Sequence, residues 1–205
     1  MEYTLPKTVF VGGREYSIRS DYRAILDICE ALTDPELSNE EKADVMLYIF
    51  YPEFADMPTK DWQEAAKQCI WFINCGENER RQRPAPKLMD WSQDFRYIAA
   101  PINRVLGKEI REMEYLHWWT FISAYYEIGD CLFAQIVRIR NLKAKGKPLD
   151  KTDQEWYRDN RELVDLKTSF TEAVRNEGKL PGKKQLSLEK KEADAYLADK
   201  LQIEE

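Results

Sequence analysis

The chain has 205 residues, of which 43% are hydrophobic and 33% are charged, a balance typical of a globular protein. Its formal net charge of -6 disfavours a protein whose whole surface docks on a phosphate backbone. Because the chain contains one histidine and no Cys-x-x-Cys pair, His-based catalysis, multi-His metal sites and the usual zinc motifs are nearly excluded, and we expect neither a metal nor a cofactor.

The N-terminal segment, residues 1–19, contains a period-two pattern. Val9 and Val11 precede the pair Gly12-Gly13, and Tyr16 and Ile18 follow it. Glycine supplies the positive φ that tight hairpin turns need, so the pattern predicts a β-hairpin over 8–19. The sequence has no apolar run of about 18 residues and does not begin with a basic segment followed by an apolar one, so we expect the protein to stay in the cytosol in which it is made.

From residue 20 onward the apolar residues recur every three or four positions, which predicts a helical domain over 20–168. A helix is expected to begin at Thr59, Gly129 is expected to be a kink or a boundary, and 77–89 is expected to be a loop. The other expected start signals are Ser20-Asp21 and capping boxes at Ser38–Glu41, Asp90–Gln93 and Thr152–Glu155. The fold class is therefore mainly α, a multi-helix bundle-like domain with an N-terminal β-hairpin.

Residues 169–205 are predicted to form a mobile, charged C-terminal tail, because apolar residues become sparse and Gly178, Pro181 and Gly182 interrupt the chain. Leu186 to Leu201 could form one amphipathic helix within it.

Earlier in the chain, Cys29 and Cys69 fall on apolar helix faces, where free thiols are expected to be buried.

Several residues could carry chemistry, but each also has a structural interpretation. His117 could act as a general base, yet a packed, hydrogen-bonded histidine is the preferred interpretation. Asp90 and Asp94 lie one helical turn apart and could share a cation or a proton, although a helix N-cap and an acidic first turn explain them better. Trp91 begins the apolar repeat of the same helix.

Two further features suggest binding to a partner. Trp118 and Trp119 point about 100° apart on a helix, so one ring is expected in the core while the other covers a neighbouring element or a partner. A basic run is expected to form a solvated helix end that complements the helix dipole, although it could also steer an acidic partner or grip phosphates. Neutralising its charges is expected to leave folding almost unchanged. Its members singled out here are Arg138, Arg140, Lys143 and Lys145.

Five blocks of the chain resemble one protein family, the bacteriophage gene-product-fifteen family of tail-morphogenesis clusters in siphoviruses and prophages of Gram-positive bacteria. The resemblance covers about residues 10–165. The blocks are Ser20-Asp21-Tyr22-Arg23-x-Ile25-Leu26-Asp27, Asp90-Trp91-x-Gln93-Asp94-x-x-Tyr97-Ile98-x-Ala100, Gly107-x-x-Ile110-Arg111, Leu116-His117-Trp118-Trp119-x-Phe121 and Ile136-Val137-x-Ile139-Arg140.

The resemblance implies a non-enzymatic tail assembly protein. Genes of this family commonly lie between those for the major tail protein and the tape-measure protein, which is the position of tail assembly chaperones. The implied partners are the tape-measure protein and also the major tail protein, and a homo-oligomer is compatible with this function. The alternatives are an enzyme using Asp90, Asp94 and His117, a nucleic-acid-binding phage protein using the basic segment 138–147, and a minor structural tail component.

Overall fold

The computed structural model describes residues 4–77 and 85–167. Its described part contains two strands and eight α-helices, which confirms the mainly α fold class with an N-terminal hairpin. In chain order they are β1 (Thr8–Val11), β2 (Arg14–Ser17), α1 (Tyr22–Thr33), α2 (Asn39–Phe50), α3 (Trp62–Ile73), α4 (Trp91–Leu106), α5 (Trp118–Tyr126), α6 (Leu132–Ala144), α7 (Lys151–Asp159) and α8 (Arg161–Val164). The predicted tail 169–205, with its Leu186–Leu201 helix, and positions 78–84 of the predicted loop lie outside the described residues.

The hairpin turn depends on glycine for a steric reason as well as a conformational one. Gly12 and Gly13 both have positive φ, and Val11 pairs with Arg14 across them. A Cβ atom on Gly12 would lie 2.8 Å from the carboxylate of Asp61, which precedes α3. The hairpin therefore approaches the helical body closely at its turn, while Val9 and Val11 are buried against that body.

The helices pack around one apolar core. α1 packs against α2, α4 and α5, α3 packs against α2 and β1, and α6 packs against α4 and α8. Aromatic side chains fill much of the interior: the Tyr22 and Phe121 rings stack with centroids 4.8 Å apart, and the Phe50 and Phe72 centroids are 5.3 Å apart. Stacked aromatic pairs of this kind bury a large apolar area while fixing the angle between helices.

Most predicted helix boundaries match the structure, and the differences have local causes. The Ser38–Glu41 capping box is confirmed. The Thr152–Glu155 box is wrong, because Asp150 is the N-cap of α7 and accepts a hydrogen bond from the Asp153 amide. A 3-10 turn at Thr59–Asp61 precedes α3, so the α-helix begins later than predicted.

Gly129 and Asn160 each separate two helices. The sequence left open a kink or a boundary at Gly129, and predicted one continuous helix across Asn160. Gly129 has positive φ and lies between α5 and α6, which makes it a boundary and not a kink. At Asn160 the predicted helix over 152–166 divides into α7 and α8.

Candidate partner-binding surface

The block Leu116–Trp119 joins the N-terminal region to α5. The Tyr22 amide donates to the Leu116 carbonyl at 2.9 Å, and the Trp118 amide donates to the Ser20 carbonyl at 2.8 Å. The Asp21 carboxylate caps α1 by accepting from the Arg23 amide, and its second oxygen accepts from the Leu116 amide at 2.9 Å. The sequence block that carries the family resemblance is thus a structural junction.

Both tryptophans of this block hold the C-terminal end of α3. Trp118 Nε1 donates to the Ile73 carbonyl at 2.9 Å, and Trp119 Nε1 donates to the Phe72 carbonyl at 2.8 Å. Helix ends leave carbonyls without intrahelical donors, and the Trp118 indole supplies one to Ile73. The Phe72 carbonyl accepts from the Cys75 amide at 3.0 Å as well as from the Trp119 indole. Trp118 is only 2% exposed and has no surface to offer to a partner in this structure, whereas Trp119 is half-buried against Trp71.

His117 is the N-cap of α5, not a residue inside the helix. Its Nδ1 accepts a hydrogen bond from the Trp119 amide at 3.0 Å, which requires that Nδ1 carries no proton. Nε2 therefore carries the proton and donates to the Pro6 carbonyl at 2.9 Å. Burial lowers the pKa of His117, outweighing the Pro6 contact that raises it, and nearby Lys7 lowers it further.

Arg140 occupies the protein interior, which corrects the expectation that the whole basic run lies at a solvated helix end. Its guanidinium donates to both oxygens of Asp94, at 2.6 and 3.0 Å. The other three N–H groups donate hydrogen bonds to the carbonyls of Leu88, Leu163 and Val164. All five donors of the side chain are thus satisfied within the protein. The expected small effect of neutralising the run assumed that its charges are exposed. This assumption is wrong for Arg140, because neutralising it would remove a buried ion pair.

Two other cations of the run also pair within the protein. Arg138 forms an ion pair with Asp153, whose side chain is 8% exposed. Lys143 contacts the Asp165 carboxylate at 2.5 Å, and the hydroxyl of Tyr157 donates to the same carboxylate at 2.9 Å. Lys145 is the exposed C-cap of α6. The run therefore connects α6 to the segment 150–165 and leaves less free positive charge than the sequence suggests.

Asp90, Trp91 and Asp94 together shape the start of α4. Asp90 is the N-cap and accepts from the Gln93 amide at 3.0 Å. The reciprocal bond from the Asp90 amide goes to Asp94 at 2.9 Å, and the Gln93 side chain instead bonds the backbone at Asp165 and Lys167. The predicted capping-box partner is thus displaced by one residue. The Trp91 ring packs against Trp118 of α5, with centroids 6.2 Å apart.

The described residues contain a surface groove that the sequence interpretation missed. It lies between α4 and the start of α6 and has a volume of about 330 Å³. Apolar side chains form most of its wall, and two arginines border it. We call it the α4 groove and define it by Arg96, Tyr97, Ala100, Pro101, Arg104, Cys131 and Leu132.

A proline inside α4 is the sequence signal that could have pointed to this groove. Pro101 has no amide hydrogen, so it cannot donate to the carbonyl of Tyr97 one turn earlier. Tyr97 and Pro101 both line the groove, and Ala100 is exposed beside them. The apolar repeat used to predict the helix describes only its buried face, and this outer face was therefore not considered.

The rest of the described structure adds three observations. In residues 4–77 and 85–167, every helix is too short or too polar to span a bilayer. Within the same ranges, no group of three or more His, Cys, Asp and Glu side chains is arranged to hold a metal ion. Burial raises the pKa of the Cys29 thiol to about 11, and Cys69 is fully buried.

Comparison with known proteins gives one match. No curated protein and no solved structure matches the chain at a significant level. The family described as Bacteriophage Gp15 protein matches residues 1–166, which include every described helix and both strands. This match covers the five blocks on which the resemblance was based. The chain belongs to the Bacteriophage Gp15 protein family.

Proposed function

We propose that this phage protein is a non-enzymatic tail assembly chaperone that binds the tape-measure protein during tail morphogenesis, in the cytoplasm of the host bacterium. The observation that carries the proposal is family membership over residues 1–166. The resemblance to this family implies a gene position between those for the major tail protein and the tape-measure protein. A chaperone encoded there would meet the tape-measure protein as it is synthesised.

The structure supports a binding role through its exposed groove. A tape-measure protein is long and helical, and an amphipathic helix is commonly recognised by an apolar groove on a compact partner. The α4 groove offers apolar walls with charge at the border. By contrast, the segment 138–147 has Arg138, Arg140 and Lys143 already paired with carboxylates, so we do not favour the nucleic-acid alternative.

The test is co-expression of the chain with the tape-measure protein from the same gene cluster. We expect the tape-measure protein to become more soluble and to co-purify with the tagged chain. The matched control is the Arg140→Gln variant, whose loss of a buried ion pair should reduce both the folded fraction and the recovery. Insoluble tape-measure protein beside a folded, soluble wild-type chain would contradict the proposal.

A second experiment distinguishes a chaperone from a minor tail component. A chaperone acts during assembly and is released, so immunoblots of purified virions should lack the chain while infected-cell lysates contain it. A stoichiometric signal in finished virions would favour the structural alternative. Co-expression with the major tail protein, tested in parallel, asks whether that protein is a second partner.

A further inference from the structure

The α4 groove exposes apolar surface that the fold does not use. Leu132, the first residue of α6, is 44% exposed, and Tyr97 and Ala100 of α4 are also accessible. Pro101 lines the groove as well, but it is buried. Tyr97, Ala100 and Leu132 therefore form the accessible apolar strip of the groove.

Positive charge borders this strip in a protein whose net charge is negative. Arg96 and Arg104 line the groove, and the Arg96 guanidinium lies over the Tyr97 ring, 4.6 Å from its centroid. Arg104 donates a hydrogen bond to the Ile128 carbonyl in the connection between α5 and α6. Both cations are thus held close to the groove by contacts with neutral groups, which leave their charge in place.

The start of α6 does not change this balance. Cys131 is the N-cap of α6 and lines the groove with Leu132. The N-terminal end of a helix carries about half a positive charge, but the exposed Asp130 directly precedes this N-cap and offsets it. The positive potential of the groove therefore comes from Arg96 and Arg104.

The spacing of the two arginines defines the shape of a matching partner. Arg96 and Arg104 lie eight residues apart on one helix, or about 12 Å along its axis. A second helix lying along α4 would present two carboxylates at this distance if they were seven or eight residues apart. Apolar side chains repeating every three or four residues between them would then face Tyr97, Ala100 and Leu132.

We propose that the α4 groove is a docking site for an acidic amphipathic helix, whose apolar stripe packs between α4 and Leu132 while its carboxylates pair with Arg96 and Arg104. A basic helix would be repelled by the two arginines. A nucleic acid backbone would match the charge but has no apolar stripe to cover Tyr97 and Leu132. The proposal concerns the chemistry of the occupant and does not depend on the identity of the partner protein.

A pair of designed peptides tests this proposal directly. The first is a fluorescent 18-residue helical peptide with leucines at three- and four-residue spacing and glutamates seven residues apart on both sides of the stripe. Its twin carries lysine at each glutamate position. In anisotropy titrations with the full chain, the glutamate peptide is expected to bind about tenfold more tightly, and added salt should reduce the difference.

Variants of the chain locate the site. Arg96→Glu with Arg104→Glu should weaken binding of the glutamate peptide about tenfold and improve binding of the lysine peptide, because the charge relation is reversed. The matched control, Lys151→Glu with Arg158→Glu, makes the same change of net charge on exposed positions of α7 and should affect neither peptide. Leu132→Ser should weaken the binding of both.

Cysteine alkylation of the unmodified chain provides a second readout that does not depend on any variant folding. Cys131 lies in the groove and Cys75 lies outside it, and both are partly exposed. The glutamate peptide is expected to slow alkylation of Cys131 several-fold while leaving Cys75 unchanged, as measured peptide by peptide in a mass spectrometer. Equal protection of both cysteines would contradict docking at the groove.

Four other results would overturn the proposal. They are equal affinity for the two peptides, no binding of either, displacement of the glutamate peptide by random duplex DNA with the same dependence on Arg96 and Arg104, and a dimer of the chain that Leu132→Ser abolishes. The third would make the groove a nucleic-acid site, and the fourth would make it a self-association surface. Failure to co-purify the tape-measure protein would leave these measurements unaffected, so the two proposals can fail separately.

Discussion

Asp94 of α4 and Arg140 of α6 form a bidentate ion pair in the protein interior, with side chains that are 0% and 5% exposed. The same guanidinium also bonds the backbone before α4 and at α8. Three parts of the chain, residues 88–94, α6 and α8, therefore meet at one side chain. Burial of two charges is costly unless their remaining donors and acceptors are satisfied, and here they are.

We predict that Arg140→Gln lowers the free energy of unfolding by about 3–5 kcal/mol, because it leaves the Asp94 carboxylate buried without its counter-charge. Urea denaturation followed by circular dichroism measures the effect. Arg158→Gln is the control, since Arg158 and its partner Asp159 are both largely exposed, and it should change stability by less than about 0.5 kcal/mol. Equal effects of the two substitutions would refute a structural role for the buried pair.

The N-cap of α4 gives a smaller, local effect. Asp90→Ala removes the acceptor of the Gln93 amide and is expected to cost about 0.5–2 kcal/mol. Burial alone would raise the pKa of Asp90, but its bonds to Lys87 and to the Gln93 and Ser92 amides leave it lowered, so the capping group is the charged carboxylate. Asp90→Asn keeps an acceptor at the cap and should recover most of the loss in the same urea measurement. An alanine variant as stable as wild type would exclude the cap as a contributor.

The two indoles that hold the end of α3 should differ in importance. Trp118→Phe leaves the Ile73 carbonyl without its donor in a buried position and is expected to destabilise the protein by about 1–3 kcal/mol beyond any packing loss. Trp119→Phe removes the indole bond to the Phe72 carbonyl, which keeps the Cys75 amide as a donor, and should cost less. The comparison uses thermal and urea unfolding of both variants. The reverse order of stability would show that the remaining donor does not govern the effect.

Local sequence patterns predicted the secondary structure well, but they did not predict the polar contacts between residues that are distant in sequence. The apolar repeat and the Ser38 cap depend on neighbours within one or two turns, and the helices follow them. The Asp94–Arg140 pair joins residues 46 positions apart, and no local pattern shows that a cation in a basic run faces inward. Charge type alone therefore suggested a solvated helix end where the fold places a buried anchor.

The candidate surface illustrates the same difference. Hydrophobic periodicity identifies the residues that a helix buries, such as Ile98 and Ile102 of α4, which are both fully buried. The α4 groove is formed by the opposite face of that helix together with the start of α6, which follows it by a long stretch of chain. Its residues come together only after the helices pack. The tryptophan pair was easier to interpret: one ring was expected in the core, and the structure buries Trp118 and leaves Trp119 half-buried.

The single histidine of the chain should make the free energy of unfolding depend on pH in a range where few other side chains titrate. In the native state Nδ1 of His117 must be unprotonated to accept from the Trp119 amide, and the pKa of this residue is lowered from its ordinary value of 6.5, mainly by burial. In the unfolded chain the imidazole takes up a proton near pH 6.5, so below that pH the unfolded state binds more protons than the native state. The stabilisation is therefore complete above about pH 6.5 and is lost progressively as the pH falls toward the lowered native value, by at most about 1.4 kcal/mol per pH unit.

This dependence can be isolated with His117→Asn, which retains a side-chain acceptor at the N-cap of α5 but does not titrate. Free energies of unfolding at pH 7.5, 6.5, 5.5 and 5.0 would be measured by urea denaturation for both proteins. The difference between wild type and variant should shrink as the pH falls, because only the wild type loses stability through the imidazole. Carboxylates contribute equally to both proteins and cancel in the difference. A difference that stays constant across this range would mean that His117 remains neutral in the unfolded chain or titrates alike in both states, and would contradict the capping role assigned to Nδ1.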